Sequence, residues 1–387
     1  MKKKMKNKHL EKNFPKEPYR FSKSEAEQIK KIVLSGKLHH NLGKYIQEFE
    51  KEFSRYIGAK YSFSTNSGAS ALQLALHSLG IGQGDEVIIP AYTFIAVAQP
   101  VLAQGAVPVF ADIDETFNIS PEDVKKKITS RTKAVIVVHM FGNVAKINEI
   151  MNITRTSNLK VIEDAAQSIG AEYGGKKVGS IGDIGYFSFN IQKAVPTGQG
   201  GMVVTSNPAY AEKIFQARNR GFDKNKEVVS VGYTMFMTEM EAALGLSVLK
   251  KLDSLNSIRA TNAGSLLKAL GKFKDIMQPP LYIKSSKPSF YRMVFQLNEK
   301  KLSMKRDDFI KAMNAKGIPF RTFYPRPLYD YALFKKDKRA KCPNAEKFCN
   351  EQVGIEFGPY LTKKHIQKIA DAVSEIIESR LKGSENN

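Results

Sequence analysis

Between residues 60 and 205, short apolar runs alternate with stretches of helical periodicity, and this alternation constrains the fold more than any other feature. The strand candidates are 61–65, 86–90, 107–112, 134–139, 160–164, 185–189 and 202–205. Helical patterns at 69–79, 95–103, 121–128 and 146–156 fall between most of them. Strands joined through helices predict a mainly parallel sheet with helices on both faces. These strands lack polar–apolar alternation, as expected when both faces are covered. Ser120 and Pro121 mark one helix start, as N-cap and first helical residue. The expected fold class is α/β, with a seven-stranded, mainly parallel sheet.

A chain of 387 residues is long for one core. The patterns predict a basic N-terminal arm over 1–20, a large domain over 21–255 and a smaller α+β domain over 256–387. A helical stretch from 238 to about 270 leads into the second domain. There, strands are expected near 291–297 and 320–323, with helices at 305–316, 344–352 and 363–381. The formal charge is +22, partly local: residues 1–20 hold eight basic and two acidic side chains, and 335–341 reads KKDKRAK. Such a balance suits nucleic acid, a membrane surface, an anionic ligand or simply a solvated lysine-rich face. No RNP, helix-turn-helix or zinc signature accompanies it, so no specific nucleic-acid partner is expected. Cys342 and Cys349 have neither metal-site nor disulfide-framework spacing. With no apolar segment behind the basic N-terminus, they fit a reducing cytoplasm. The uncharged stretch 87–111 contains Pro90, Pro100 and Pro108 and reads as strand–helix–strand, so no membrane insertion is expected.

The chemistry concentrates within thirty residues. Val161-Ile162-Glu163-Asp164 ends a strand candidate, and Phe187-Ser188-Phe189-Asn190-Ile191-Gln192-Lys193 follows, then Gly198-Gln199-Gly200-Gly201. A lysine in a Gly-rich segment, downstream of a strand-ending acid, is what pyridoxal 5′-phosphate (PLP) requires. The amine forms a Schiff base with the aldehyde, and the acid keeps the pyridine nitrogen protonated. Asp164 stands where open α/β sheets present ligand groups. Gln167, three residues on, is placed to meet the phenolic oxygen. The turn Asn66-Ser67-Gly68-Ala69-Ser70 precedes a helix and offers backbone N–H groups to a phosphate. No metal site is predicted.

Blocks running from about Phe21 to Lys382 carry a family likeness: SGKLHHNLGKYIQEFEKEFSRYIGAKY, STNSGASALQLAL, GDEVIIPAYTFIA, AVPVFADID, VIEDAAQSIGA, GDIGYFSF with the lysine and GQGG, MEAALGL and CPNAE. In this order they resemble the DegT/DnrJ/EryC1/StrS family, PLP-dependent sugar aminotransferases of fold type I. The resemblance implies an internal aldimine on Lys193, which also serves as proton carrier, and a ring-nitrogen salt bridge from Asp164. It implies a phosphate contact at Ser188 and an aromatic stack from Phe94. The expected reaction moves an amino group from an amino acid, L-glutamate by resemblance, to a keto-sugar, most often nucleotide-linked.

Four positions depart from the family pattern. Ala69 replaces a threonine, Gln199 an acid, Thr234 an asparagine and Phe236 an arginine. The family's asparagine reaches the phosphate of the neighbouring subunit, so Thr234 implies a homodimer with a shared site. Arg326, in Phe323-Tyr324-Pro325-Arg326-Pro327, reads first as a surface arginine and second as a contact for an anionic ligand. A sugar dehydratase or lyase is the first alternative, although dehydratases of the family carry histidine where Lys193 stands. A cofactor-free binding or regulatory paralogue is the second, suggested by the four departures.

Overall fold

The computed structural model describes residues 21–334 and 341–384. The basic arm at 1–20 and positions 335–340 of the second basic run lie outside the described residues. The strands are β1 (Tyr61–Thr65), β2 (Glu86–Pro90), β3 (Val107–Ala111), β4 (Thr132–Val138), β5 (Lys160–Asp164), β6 (Ile184–Ser188) and β7 (Gly201–Thr205). They form one seven-stranded sheet in the order β1-β7-β6-β5-β4-β2-β3. Every neighbouring pair is parallel except those made by β7, which runs against β1 and β6.

Alternate residues of each inner strand enter opposite cores. Val87, Ile89, Ile136, Val138 and Ile162 join one cluster, while Ile88, Val135, Val137 and Val161 join the other. This two-residue period with both faces covered explains the uninterrupted apolar runs. A third cluster forms under β6 and β7, where helix Tyr45–Ile57 buries Ile46, Phe49, Phe53 and Ile57 along one stripe. Phe53 packs edge-on to Phe187, with ring centroids 4.8 Å apart. The strand that carries Ser188 is therefore braced from behind.

The helical stretch at 238–270 is two helices, Glu239–Leu249 and Leu252–Leu270, because the turn at Lys250 and Lys251 breaks the run. The second helix starts in the third cluster at Leu252 and ends in a separate C-terminal core at Ala263, Leu266 and Leu270. That core lies under an antiparallel sheet, in the order β8 (Met277–Gln278), β9 (Arg292–Leu297) and β10 (Gln352–Glu356). Strand β10 was not expected: its apolar run is short, and the preceding helix, Pro343–Glu351, gives way to it without a break in the chain. The strand expected near 320–323 is instead a single bridge between Arg321 and Gly354. Phe323, Leu328, Phe334 and Phe348 return to the core of the large sheet. This return brings residues 321–324 over the carboxyl ends of the parallel strands.

Candidate active site

A cavity of about 640 Å³ opens where β5 and β6 end, roofed by Tyr291, Arg292 and residues 321–324. Asp164 is the last residue of β5, in register with Val138 of β4 and Tyr186 of β6. Its carboxylate is buried and held from two sides. Oδ1 accepts from the Ala166 N–H at 2.9 Å, and Oδ2 accepts from the Tyr186 hydroxyl at 2.5 Å. Burial pushes its pKa above the usual aspartate range, against the pull of Tyr186, Ala166 and Lys193.

Lys193 sits in a tight loop between β6 and β7. Its N–H donates to the Asn190 carbonyl at 2.8 Å, and the loop closes through Phe189 to Gly200 (2.9 Å) and Ile191 to Gly198 (3.1 Å). Desolvation lowers the pKa of the amine to about 8, against the attraction of Asp164. An amine with that pKa supplies an appreciable neutral fraction near physiological pH. Gly201 is required by space: a Cβ there would lie 2.4 Å from the Ser67 carbonyl oxygen.

That closure sets the start of helix Gly68–Ser78 against β6. Ser67 caps it, accepting from the Ser70 N–H at 3.1 Å. A Cβ at Gly68 would lie 2.8 Å from the Ser188 Cβ, so only glycine leaves space between helix start and serine. Ser67, Gly68, Ala69 and Ser188 all line the cavity. Ser70 does not; its hydroxyl pairs with that of Ser67 at 2.9 Å. The missing threonine hydroxyl at Ala69 is thus not replaced in the cavity by Ser70.

Gln167 and Phe94 line the same cavity. Gln167 is buried, accepts from the Phe141 N–H at 3.2 Å and reaches the Tyr324 hydroxyl at 3.4 Å. Phe94 keeps 53% of its surface exposed, with its ring 6.1 Å from that of Tyr324. Thr234 lies outside the cavity, exposed, bridged to Asn219. Phe236 stacks on His40 with centroids 3.6 Å apart and lies against Arg218. Arg326 is exposed and sits over Tyr331, outside the cavity.

Several residues in or near this site were not singled out from the sequence. Tyr186 lay inside a matched block, where its hydroxyl gave no sign of meeting Asp164. Arg292 and Arg321 carried no local signal, since β9 and the 321–324 segment come together only in the fold. Behind the floor, His139 accepts from the Ala145 N–H through Nδ1, so Nε2 carries the proton and donates to Glu163 at 3.1 Å. Burial opposes charge on Glu163, yet His139 and the N–H groups of Gly179 and Gly182 hold its pKa below the usual range. This buried pair locks the turn after β4 and leaves Asp164 free to face the cavity. Among the described residues, no cluster of His, Cys, Asp or Glu is fit to hold a metal ion, and no helix is long and apolar enough to cross a membrane.

A buried acid and a lysine of lowered pKa, converging at the carboxyl ends of a mainly parallel sheet under a smaller α+β unit, define a fold-type-I aminotransferase. The DegT/DnrJ/EryC1/StrS aminotransferase family matches residues 20–374. The chain is 39% identical to GDP-perosamine synthase of Caulobacter vibrioides, over 74% of this chain and 78% of the relative. It is 32% identical to dTDP-3-amino-3,6-dideoxy-alpha-D-galactopyranose transaminase of Aneurinibacillus thermoaerophilus, over 92% and 96%. An aminotransferase from Psychrobacter cryohalolentis superposes with a TM-score of 0.89 at 30% identity, covering 94% of this chain and 99% of that one. The chain belongs to the DegT/DnrJ/EryC1/StrS aminotransferase family, whose aminotransferases are PLP-dependent.

Proposed function

We propose that this protein uses PLP to move an amino group from an amino acid, L-glutamate, to a nucleotide-linked keto-sugar. The observation that carries this reading is the meeting of Lys193 and Asp164 in one cavity, with the amine at a pKa of about 8. The cavity suits the cofactor on three counts. The Gly68 helix start and Ser188 form a cradle, and a helix N-terminus favours a phosphate. Gln167 stands beside the floor as an amide donor. Asp164 offers a carboxylate oriented by Tyr186 and Ala166 for a protonated ring nitrogen.

When bound, PLP supplies the electron sink that makes a substrate Cα–H acidic. Lys193 would hold the cofactor through its aldehyde, and its free amine would be the group that carries a proton from the substrate Cα. Asp164 would be held in its charged form by a protonated ring nitrogen, and would in turn keep that nitrogen protonated. Phe94, which lines the cavity, would cover one face of the ring. The related nucleotide-sugar enzymes support an acceptor of that class. We also propose a cytoplasmic homodimer in which Thr234 of each copy meets the other's phosphate site, and domains divided at 255/256.

The test is the near-UV/visible spectrum of the purified protein with PLP, before and after L-glutamate. A lysine-bound cofactor band that gives way to a pyridoxamine band supports the reading, and Lys193→Ala removes both. A band that ignores glutamate redirects the search to another donor or to a lyase. Failure to take up PLP refutes the reading in favour of a cofactor-free paralogue.

A further inference from the structure

Arg292 and Arg321 share one carboxylate in the cavity wall. Arg292 is buried and donates through Nε and Nη2 to Glu356, both at 3.0 Å, while Nη1 lies 3.4 Å from the Tyr324 hydroxyl. Arg321 donates through Nη2 to the same carboxylate, with 51% of its side chain exposed. Both guanidinium groups lie over the Phe323 ring, at 4.3 and 4.7 Å from its centroid. Two fixed cations on one anion leave an excess positive charge facing the cavity. The Nε and Nη1 donors of Arg321 have no protein partner among the described residues. The Tyr291 ring lies beside both this pair and the reacting amine: Lys193 Nζ is 5.1 Å from its centroid and Arg292 Cζ 4.8 Å.

We infer that Arg321, set in place by Arg292 and Glu356, forms with Arg292 an oxyanion-binding subsite for a substrate carboxylate or phosphate. The inference rests on the aminotransferase reading above and deepens it. A planar guanidinium fork matches a carboxylate in two parallel hydrogen bonds, and a second arginine behind it prevents Glu356 from cancelling its charge. The closeness to Lys193 favours a carboxylate of the amino donor. The phosphate of a nucleotide-linked acceptor presents the same chemistry and is the other source.

Glu356 gives the inference a sign that a structural role does not share. In Glu356→Gln the competing carboxylate is gone, so anions bind more tightly. Isothermal titration of the PLP-loaded protein with glutarate, and separately with inorganic pyrophosphate, reads both sources. Arg321→Ala is expected to weaken at least one probe about tenfold, Arg321→Lys less, and Glu356→Gln is expected to tighten the same probe several-fold. Selective loss of glutarate assigns the subsite to the donor, and a matching rise in the KM for L-glutamate with a smaller change in kcat accompanies it. Selective loss of pyrophosphate assigns it to the acceptor. Arg321→Ala binding both probes as the unsubstituted protein does, or Glu356→Gln weakening them, overturns the inference. Should the protein fail to take up PLP, the functional reading fails by itself, and the same titrations on the cofactor-free protein still decide the subsite.

Discussion

The floor of the cleft and the 219–238 segment beside it are built on different terms. On the floor, Asp164 and Ser188 end strands, and Tyr186 lies inside one, whose neighbours are fixed by register, and both Asp164 oxygens are bonded within the chain. In the 219–238 segment, Val228, Val229 and Val231 expose 65%, 53% and 72% of their surface. Arg220 and Lys226 adopt positive φ, and the segment is held by isolated bridges (Asn219–Thr234, Phe222–Val228) and single turn hydrogen bonds such as Val229 to Gly221 at 2.9 Å, not by a sheet ladder. Buried polar atoms nearby, Ser230 Oγ and His40 Nδ1, lack a hydrogen-bond partner. The floor is complete in one chain. The segment pairs exposed apolar side chains with unfilled polar ones, a surface that the proposed homodimer would cover.

The sharpest way to break this comparison is at Asp164. Its burial costs the folded chain more than Tyr186, Ala166 and Lys193 return, so Asp164→Asn is expected to leave the melting temperature of the cofactor-free protein unchanged or higher. Amino transfer should nevertheless fall about 1,000-fold, because a neutral amide no longer holds the ring nitrogen protonated. Melting curves and turnover on the same preparation decide it. A large loss of stability would make Asp164 a structural acid.

Tyr186→Phe comes next. It leaves a buried carboxylate oxygen short of a donor, at a cost of about 1–3 kcal/mol in the cofactor-free protein. The folded chain holds the Asp164 proton more tightly than the unfolded one, since its pKa is raised. That contribution is fully present below the ordinary aspartate range and is lost as pH rises through the raised value. Removing the Tyr186 hydroxyl raises the value further, so the loss should move to higher pH. Melting temperature against pH, from about 4 to 8, reads the shift. An unshifted profile would mean that the phenol does not act on Asp164.

The segment predicts the opposite dependence. Burial, with His39, Arg218 and Arg220 nearby, lowers the His40 pKa to about 4. The unfolded chain then binds the proton more tightly, so stability is full above the ordinary histidine range and is lost as pH falls from about 6.5 toward 4. Phe236→Ala removes the stacked ring, with an expected cost of about 2 kcal/mol at neutral pH. Part of the acid-side slope should vanish with it, because His40 regains water. If the slope is unchanged, another group carries it.

How much of this was legible before folding follows the same division. The strands, Asp164 and Lys193 could be read because an apolar run ending in an acid leaves a local trace, and because parallel strands place their ends on one side. The cradle at Gly68 was legible as a turn, but its reason, the closeness of Ser188, is a contact across 120 residues. Arg292, Arg321 and Glu356 come from segments that meet only once β10 pairs with β9, and β10 itself was missed. Arg326, weighed as an anion contact but read first as a surface arginine, is exposed over Tyr331. Phe236 read as the loss of an arginine. In the fold it fills a place against His40 and Arg218, which substitution by composition alone does not disclose.

The smallest effect tests whether the 219–238 segment serves a second chain at all. Thr234 is exposed and touches no part of its own chain's cavity, so Thr234→Asn should change melting of the cofactor-free protein by less than about 0.5 kcal/mol. An asparagine side chain is one atom longer and carries two N–H donors. If this position meets the phosphate cradle of a neighbouring copy, the substitution should tighten PLP a few-fold, and only under conditions where the protein is dimeric. Equilibrium dialysis of PLP against protein concentration, with sedimentation run in parallel, separates the cases. Tightening that persists in a monomer would place Thr234 in its own site, contrary to the fold. No tightening in an established dimer would leave the neighbour's phosphate out of reach of this position, and the exposed valines would then need another account.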